Sequence, residues 1–299
     1  MTPSPAVCRE KFLFAVFLVC VPALCFAQAD RDSPLRARQV MEALAAAYPG
    51  RVEKAEFWDG DWTVVMQGVR YYYCGARLLP EELRGRAADY SPQPFYNYAA
   101  QLPDWKTPTD EEAERFRTLT DNRSRNPPRR SPHFFDALWQ ARTYAEAQKR
   151  IKSIVFLGFS VNAHETIHGE LASVEKQIRE DAKNDTGVRA WVNGIRAVGS
   201  WNWRAVADIP SRSYHAYGVA IDIRPQSVRG KQVYWLWTAG HKREWWNTPY
   251  SARLHPPDKV IKAFESRGFI WGGKWLFFDT MHFEYRPEIF ILNESNSLH

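Results

Sequence analysis

The chain has few cysteines, and they are unevenly distributed. Three of its 4 cysteines (Cys8, Cys20 and Cys25) lie within the first 29 residues, and only Cys74 follows. If the first 29 residues are removed, the single remaining cysteine forms no internal disulfide, so the apolar core must hold the fold together. Beyond the extreme N-terminus no apolar run reaches about 18 residues, which excludes a multi-span membrane protein. No segment repeats at a period of roughly 20 to 50 residues, which excludes solenoids and propellers.

Clustered positive charge is also missing. The formal net charge is +6, but no run of Lys and Arg is interleaved with aromatic residues, so we expect no nucleic-acid site. The hydrophobic share of 45% and the aromatic share of 14% exclude a disordered protein, which could not bury enough apolar surface to fold.

The first 29 residues resemble a secretory signal peptide. Arg9 and Lys11 form a basic region, residues 12–26 are apolar, and the small residues Ala27 and Ala29 follow. We predict cleavage after one of these alanines, export to the periplasm or cell envelope, and no stable membrane insertion afterwards. The alternative is an uncleaved anchor, but the apolar segment is short for a membrane span.

The rest of the chain is predicted to contain a small α+β unit (30–100), a linker (101–132) and a larger domain (133–299). In the first unit, Ser33-Pro34 favours a helix start, and the helix ends near residues 49–50. β-like runs follow at 52–58, 62–66 and 69–74. The linker is rich in Pro, Asp, Thr and Arg, with one helix from 110 to 118. Helices and strands do not alternate regularly, which favours an α+β fold.

One motif suggests a zinc site on a helix. Residues 164–168 read His-Glu-Thr-Ile-His, and histidines four apart on a helix can share a zinc ion, with the glutamate as general base. The predicted amphipathic helix covers 163–182. However, no pattern frames a third protein ligand, and so short a motif also arises by chance. We therefore favour a solvated helix face beside the Ile167 and Leu171 stripe.

A second constellation is richer. Val219, Ile221 and Ile223 alternate with Ala220 and Asp222, so a strand would send the apolar residues to one face and Asp222 to the other. Gly218 permits a tight turn that folds His215 back beside Asp222.

Its partner lies sixty residues further along the chain. Met281, Phe283 and Tyr285 form one face of a second strand, and His282 and Glu284 share the polar face. Pairing the two strands would bring together His215, Asp222 and His282. Two histidines and one carboxylate make a three-ligand zinc site with an open fourth position, which is the catalytic type.

These residues resemble the zinc D-alanyl-D-alanine metallopeptidase family, which includes D,D-carboxypeptidases, D,D-dipeptidases and L-alanyl-D-glutamate endolysins, and whose fold is shared by the hedgehog domain. The family pattern S-x-H-x-x-G-x-A-x-D is matched by Ser213, His215, Gly218, Ala220 and Asp222. The resemblance extends over residues 153–288. It implies a small central antiparallel sheet, flanked by helices and carrying the zinc site, with the N-terminal α+β unit as an extension.

The resemblance also implies roles for two further residues. Asp279, three positions before His282, would be the general base, and Arg204 in the segment Trp-Asn-Trp-Arg would stabilise the oxyanion. In an unbroken strand Asp279 and His282 point to opposite faces, so either Asp279 precedes the strand or a bulge intervenes.

Three nearby side chains are weaker candidates. Glu284 is a candidate to orient a ligand histidine, Ser213 to hold the turn or the substrate, and Tyr217 to line a groove for the peptide. The expected function is an exported zinc peptidase acting on peptidoglycan stem peptides next to a D-amino acid. D-alanyl-D-alanine carboxypeptidase is the first choice. An L-alanyl-D-glutamate endopeptidase and a non-catalytic zinc-containing binding module are the alternatives.

Overall fold

The structure, a computed structural model, describes residues 33–102 and 104–296. The predicted signal peptide at 1–29 lies outside the described residues. Helices combine with small antiparallel sheets, so the predicted α+β class is confirmed. In the described part of the chain, every helix is too short or too polar to span a bilayer.

The N-terminal part is one helix followed by a meandering sheet. Its elements are α1 (Pro34–Ala47), β1 (Ala55–Trp58), β2 (Asp61–Met66), β3 (Val69–Tyr72) and β4 (Leu79–Pro80). Ser33 caps α1 by accepting a hydrogen bond from the Arg36 amide, and Pro34 occupies the first helical position, as expected. The three predicted strands are confirmed: β1 and β3 are shorter than predicted, β2 begins one residue earlier, and β4 was not predicted. A 3-10 helix, Glu81–Asp89, follows.

The stretch predicted as a linker contains a helix that begins where expected and extends seven residues further, to Arg125 instead of 118. This helix, α2 (Asp110–Arg125), begins at a capping box in which Thr109 and Glu112 satisfy each other's backbone amides. Arg123 near its C-terminal end pairs with Asp208 and lies over the ring of Phe277, 4.5 Å from its centroid. These contacts hold α2 against the larger domain.

A hairpin and several helices connect this helix to the central sheet. They are α3 (His133–Leu138), α4 (Tyr144–Arg150), β5 (Ile151–Phe156), β6 (Phe159–His164), α5 (His168–Asn184) and α6 (Thr186–Asn193). Strands β5 and β6 pair with each other as a hairpin. Helix α5 buries Leu171, Val174 and Ile178, as its spacing predicted.

The central sheet has four antiparallel strands in the order β11-β12-β10-β7. The remaining elements are β7 (Ile195–Gly199), β8 (Ala205–Val206), β9 (Ile209–Arg212), α7 (Tyr214–Tyr217), β10 (Ala220–Pro225), α8 (Trp235–Ala239), α9 (Asp258–Glu265), β11 (Phe269–Trp271), β12 (His282–Tyr285) and α10 (Pro287–Asn296). Strands β8 and β9 form a separate hairpin. The predicted strands around Asp222 and His282 are therefore present, and they pair with each other.

One apolar core runs through the N-terminal part and the larger domain. Helix α1 packs against α10. Val40 and Leu44 of α1 belong to the same buried cluster as Ile289 and Leu292 of α10 and Phe283 of the central sheet. The boundaries at residues 100 and 132 remain predictions, but the core crosses both. We infer that the two parts stabilise each other.

Replacing Leu44 with alanine tests this coupling. Leu44 is fully buried, so Leu44→Ala should lower the free energy of unfolding by about 2–5 kcal/mol. Because the core is shared, hydrogen exchange should also accelerate in β10 and β12. Leu35, which is 60% exposed, is the matched control, and Leu35→Ala should change stability by less than about 0.5 kcal/mol. Accelerated exchange restricted to α1–β4 would contradict the shared core.

Candidate metal centre and catalytic site

The pairing of β10 with β12 positions the polar residues of the site. The two strands are antiparallel, and Asp222 lies directly opposite His282. Side chains alternate between the faces of a strand, so opposite residues share a face. Ile221 and Phe283, the next opposite pair, are fully buried in the core on the other face. The alternation predicted from the sequence therefore produces one apolar face and one polar face.

A short helical turn brings His215 to the same place. Ser213 caps α7, and its hydroxyl accepts a hydrogen bond from the His215 amide. Gly218 ends the turn at a φ of +71°, where a Cβ would lie 2.4 Å from a methyl carbon of Ile151 and 3.0 Å from the His164 amide nitrogen. Glycine alone fits this conformation and this contact, and the chain then enters β10.

Three potential ligand atoms form a nearly equilateral triangle. His215 Nε2 is 3.1 Å from Asp222 Oδ1 and 3.2 Å from His282 Nδ1, and the last two atoms are 3.0 Å apart. Among the described residues, this is the only cluster of His, Cys, Asp and Glu with the geometry to hold a metal ion. Ligands about 2.0 Å from a tetrahedral zinc ion lie about 3.3 Å from one another, so the triangle has suitable dimensions.

The outer nitrogens of both histidines support the same conclusion. His215 Nδ1 is 2.6 Å from the carbonyl oxygen of Ser200, and His282 Nε2 is 3.1 Å from Glu284 Oε2. Each of these nitrogens must donate a proton to an acceptor. When both imidazoles are neutral, each inner nitrogen therefore carries a lone pair, and this lone pair is directed at the Asp222 carboxylate. Three such atoms repel one another unless a cation lies between them, so the donor set fits a divalent metal.

The charges of the site are strongly coupled. Burial raises the pKa of Asp222, but the hydrogen bonds from His215 and His282 outweigh burial and keep this pKa below its usual range. Burial lowers the pKa of His282, yet its hydrogen bonds to Asp222 and Glu284 raise it to about 10. The surroundings of His282 thus favour positive charge between Asp222 and Glu284, which a bound metal ion also supplies.

Asp279 lies before the first residue of β12. The alternation of side chains along that strand therefore does not force Asp279 and His282 to opposite faces. Its backbone amide donates to the carbonyl of Gly272, and its Oδ1 accepts a hydrogen bond from the Met281 amide at 3.2 Å. A Cβ on Gly272 would lie 2.6 Å from the Asp279 carbonyl, so only glycine permits this closed loop. Burial raises the pKa of Asp279 to about 6, opposed by His282 and reinforced by Asp222.

The segment that contains the candidate site matches a known protein family. Residues 207–285 match the model of a family described as D-alanyl-D-alanine carboxypeptidase. The matched segment contains the three potential ligands and Asp279. This match supports a relationship of residues 207–285 to the zinc D-alanyl-D-alanine metallopeptidase family. Peptidases of this family are zinc enzymes, and the His-Asp-His group has the corresponding composition.

A second match covers the N-terminal part. Residues 40–95 match a family described as a domain of unknown function, which corresponds to most of α1 and the whole β1–β4 sheet. No curated protein and no solved structure matches the chain significantly.

In the larger domain, Glu284 supports His282 as predicted from their shared face. Glu284 Oε2 accepts the Nε2 proton of His282, which fixes the ring so that Nδ1 faces Asp222. A carboxylate behind a ligand histidine also raises its basicity and holds its tautomer. Burial raises the pKa of Glu284, but the hydrogen bond and charge of His282 outweigh burial and lower it, so Glu284 is an anion.

The sequence analysis missed a buried chain of charges behind Glu284. Arg286 Nη1 lies 3.5 Å from Glu284 Oε1, and its Nε donates to Glu288. The other oxygen of Glu288 accepts the hydroxyl proton of Tyr48 at 2.6 Å. Arg286 and Glu288 are both fully buried. The sequence contained a signal for this chain of charges. Basic and acidic residues alternate at every second position from 282 to 288: His282, Glu284, Arg286 and Glu288.

This chain of charges connects the larger domain to the N-terminal unit. Tyr48 directly follows α1. A second link runs from Tyr96, whose hydroxyl accepts a hydrogen bond from Trp275 Nε1 at 2.7 Å, and the Trp275 ring packs 5.5 Å from the ring of His282. Both links end on His282, so residues from the N-terminal half help to position a candidate metal ligand.

Arg204 does not contact the three ligand atoms. Its side chain is exposed, and Nη1 donates to the carbonyl of the adjacent Ala205. Its carbonyl accepts the Ser213 amide, so the backbone of Arg204 runs beside the turn that bears His215. The guanidinium is free to reach a substrate, but Arg204 lies just outside the segment 207–285, and its role remains a prediction.

Ser213 and Tyr217 have structural positions. Ser213 holds the turn through its hydrogen bond to the His215 amide, which is one of its two expected roles. Tyr217 is only 3% exposed, and its hydroxyl donates to Asp136 at 2.9 Å. It therefore lies in the core and not along a peptide groove, which corrects the expectation from the sequence.

The His-Glu-x-x-His motif does not lie on one helix. His164 ends β6 and His168 begins α5, because residues 159–164 pair with β5. His164 is fully buried, so the expected solvated face is also wrong. Its Nε2 is 3.0 Å from the Trp139 carbonyl, and its Nδ1 accepts the Thr166 amide. Both nitrogens are thus engaged within the protein.

His164→Ala should therefore leave metal binding intact and lower stability. The unpaired Trp139 carbonyl should reduce the free energy of unfolding by about 1–3 kcal/mol. Burial lowers the pKa of His164 from 6.5 to about 4, so only the unfolded chain takes up this proton between those pH values. The wild type should therefore lose stability as the pH falls through this window, and the His164→Ala variant should lose less of it. Loss of stoichiometric zinc from the folded variant would contradict this assignment.

Glu284→Gln should weaken zinc binding by about 10- to 100-fold, because the amide holds the His282 ring less strongly and removes a negative charge. Competition with a chromophoric chelator measures this affinity. Glu180, 60% exposed, is a matched control, and Glu180→Gln should bind zinc as the wild type does. Unchanged affinity in a folded Glu284→Gln protein would remove Glu284 from its supporting role.

Proposed function

We propose that this chain is an exported zinc peptidase that cleaves peptidoglycan stem peptides next to a D-amino acid. The favoured activity is that of a D-alanyl-D-alanine carboxypeptidase. The observation that carries the proposal is the triangle of His215 Nε2, Asp222 Oδ1 and His282 Nδ1, which lies within a segment matching that family.

These three atoms would hold the zinc ion. A site with three protein ligands keeps one position for water or substrate, as catalytic zinc sites do. When bound, zinc supplies a Lewis acid that polarises the scissile carbonyl. The hydrogen bonds from His215 to the Ser200 carbonyl and from His282 to Glu284 fix the two rings so that His215 Nε2 and His282 Nδ1 face Asp222.

Two further residues would act on the substrate. The Met281 amide fixes Asp279 Oδ1, which leaves Oδ2 to take a proton from the attacking water and deliver it to the leaving amine. Arg204, exposed beside the turn that bears His215, would stabilise the oxyanion of the tetrahedral intermediate. Losing such a donor typically lowers kcat by about 10²- to 10³-fold.

The location of the protein is part of the same proposal. Peptidoglycan lies outside the cytoplasm, and residues 1–29 have the composition of a signal peptide. Amino-terminal sequencing of the exported protein tests this, since the mature chain should begin after Ala27 or Ala29. A mature protein that still begins at Met1 would favour the uncleaved anchor.

Purified protein incubated with muropeptides tests the activity. We expect release of terminal D-alanine that stops when a chelator removes zinc and returns when zinc is restored. Release at the L-alanyl bond would favour the endopeptidase, and tight zinc binding without turnover would favour a binding module.

Two variants separate metal binding from catalysis in the same assay. His215→Ala should lose both zinc and activity. Asp279→Asn should retain zinc and lose activity by at least about 10²-fold, because the amide accepts no proton. Normal turnover by Asp279→Asn would exclude Asp279 as the base.

A further inference from the structure

A basic cavity lies beside the proposed catalytic site. It has a volume of about 470 Å³, and arginine supplies four of its lining residues: Arg129, Arg130, Arg204 and Arg212. The other lining residues include Tyr90, His133 and Trp203, and none of them is acidic. The cavity is therefore electropositive throughout, which favours an anionic ligand.

Most of this positive charge is not neutralised by the protein. Arg212 pairs with Asp136. By contrast, no carboxylate of residues 33–102 or 104–296 forms a salt bridge with Arg129, Arg130 or Arg204. Arg130 Nε donates only to the Pro92 carbonyl, at 3.3 Å. Burial, reinforced by nearby Arg123, lowers the pKa of Arg130 to about 10, so Arg130 remains charged in surroundings that disfavour its charge. A bound anion would relieve this cost.

The cavity adjoins the metal site through its Trp203-Arg204 wall. The amide of Asn202 donates to the His215 carbonyl at 3.0 Å, and the amide of Ser213 donates to the Arg204 carbonyl at 3.2 Å. This wall thus runs along the turn that carries His215.

The stretch predicted as a linker supplies two of the arginines, and its backbone is held in place. The Arg130 amide donates to the Ser211 hydroxyl at 3.0 Å, and that hydroxyl donates to the Pro128 carbonyl at 2.7 Å. The Ser91 amide donates to the Arg129 carbonyl at 2.8 Å. The backbone that bears the two arginines is therefore held in place, and both residues lie outside the segment that matches the carboxypeptidase family.

We propose that this cavity is a subsite for the free carboxylate of an acidic amino acid within the stem peptide, distinct from the terminal carboxylate that every carboxypeptidase substrate carries. The proposal rests on the proposed function, which supplies a substrate with acidic amino acids. The volume accommodates a whole acidic residue, and guanidinium groups bind carboxylates through paired, charge-assisted hydrogen bonds. The residues recognising the carboxylate are Arg129 and Arg130, and Arg204 keeps its proposed role at the oxyanion.

Paired substrates test the subsite. Two stem peptides that differ only in one carboxylate, free in the first and amidated in the second, are compared by kcat/KM, one position at a time, with the terminal carboxylate free in both. For one position the wild type should prefer the free acid by about 10- to 100-fold, the usual effect of a charge-assisted hydrogen bond. In Arg130→Met the preference should fall below about 3-fold. Arg129→Met, at an exposed residue that tolerates replacement, should reduce it in the same direction.

Arg125→Gln provides the matched control. Arg125 is 76% exposed in α2 and lies outside the cavity, so this variant loses the same charge and should keep the wild-type preference. An equal rate for acid and amide at every position in the wild type, or a preference unchanged in both cavity variants, would overturn the subsite. Inhibition by a glycerol phosphate oligomer that requires Arg130, combined with no acid preference, would overturn it in favour of a phosphate polymer.

A binding measurement separates this proposal from the proposed function. Absence of cleavage of either peptide would contradict the peptidase activity alone. Calorimetry with the Asp279→Asn protein then decides the subsite: tighter binding of the free acid, lost on adding Arg130→Met, supports it. Equal binding of acid and amide overturns it.

Discussion

The antiparallel pairing of β10 with β12 is the constraint on which the rest of the site depends. Its register places Asp222 opposite His282 and leaves Ile221 and Phe283 in the core. A shift by one residue would exchange the two faces and bury the ligands among apolar side chains. Burial of the apolar face therefore stabilises the same register that assembles the metal-binding triangle, so the fold and the candidate site are selected together.

The second constraint is the fully buried pair of Arg286 and Glu288. Burying two charges costs desolvation free energy, and removing one partner strongly destabilises a protein because the other charge is left unpaired. Such a pair therefore needs a partner for every charge. Here Glu284 and Tyr48 complete the set, which extends from His282 to the end of α1. The N-terminal unit is thus physically continuous with the supports of the metal site, and a matched segment of unknown function acquires a structural role.

The stretch between the two parts is more than a connection. Helix α2 is held to the larger domain by Arg123, and Arg130 is held by Ser211 at the edge of β9. Both anchors lie on the β8–β9 hairpin or just beside it, close to the turn that carries His215. Arg129 and Arg130, which lie outside the segment that matches the carboxypeptidase family, thus contribute a basic wall next to the candidate catalytic residues.

The sequence by itself determined the local features. The alternation of apolar and polar residues predicted β10 and β12, and Gly218 predicted the turn before β10. The polar positions of the two strands predicted the candidate ligands and Glu284. These features depend on neighbouring residues, which set the strand period and the turn chemistry. Tertiary structure decided the rest. Residues 159–164 became a strand because β5 was available to pair with them, which separated His164 from His168. Tyr217 turned to Asp136, and Tyr48 reached Glu288 across 240 positions, through contacts between distant segments that local patterns do not encode.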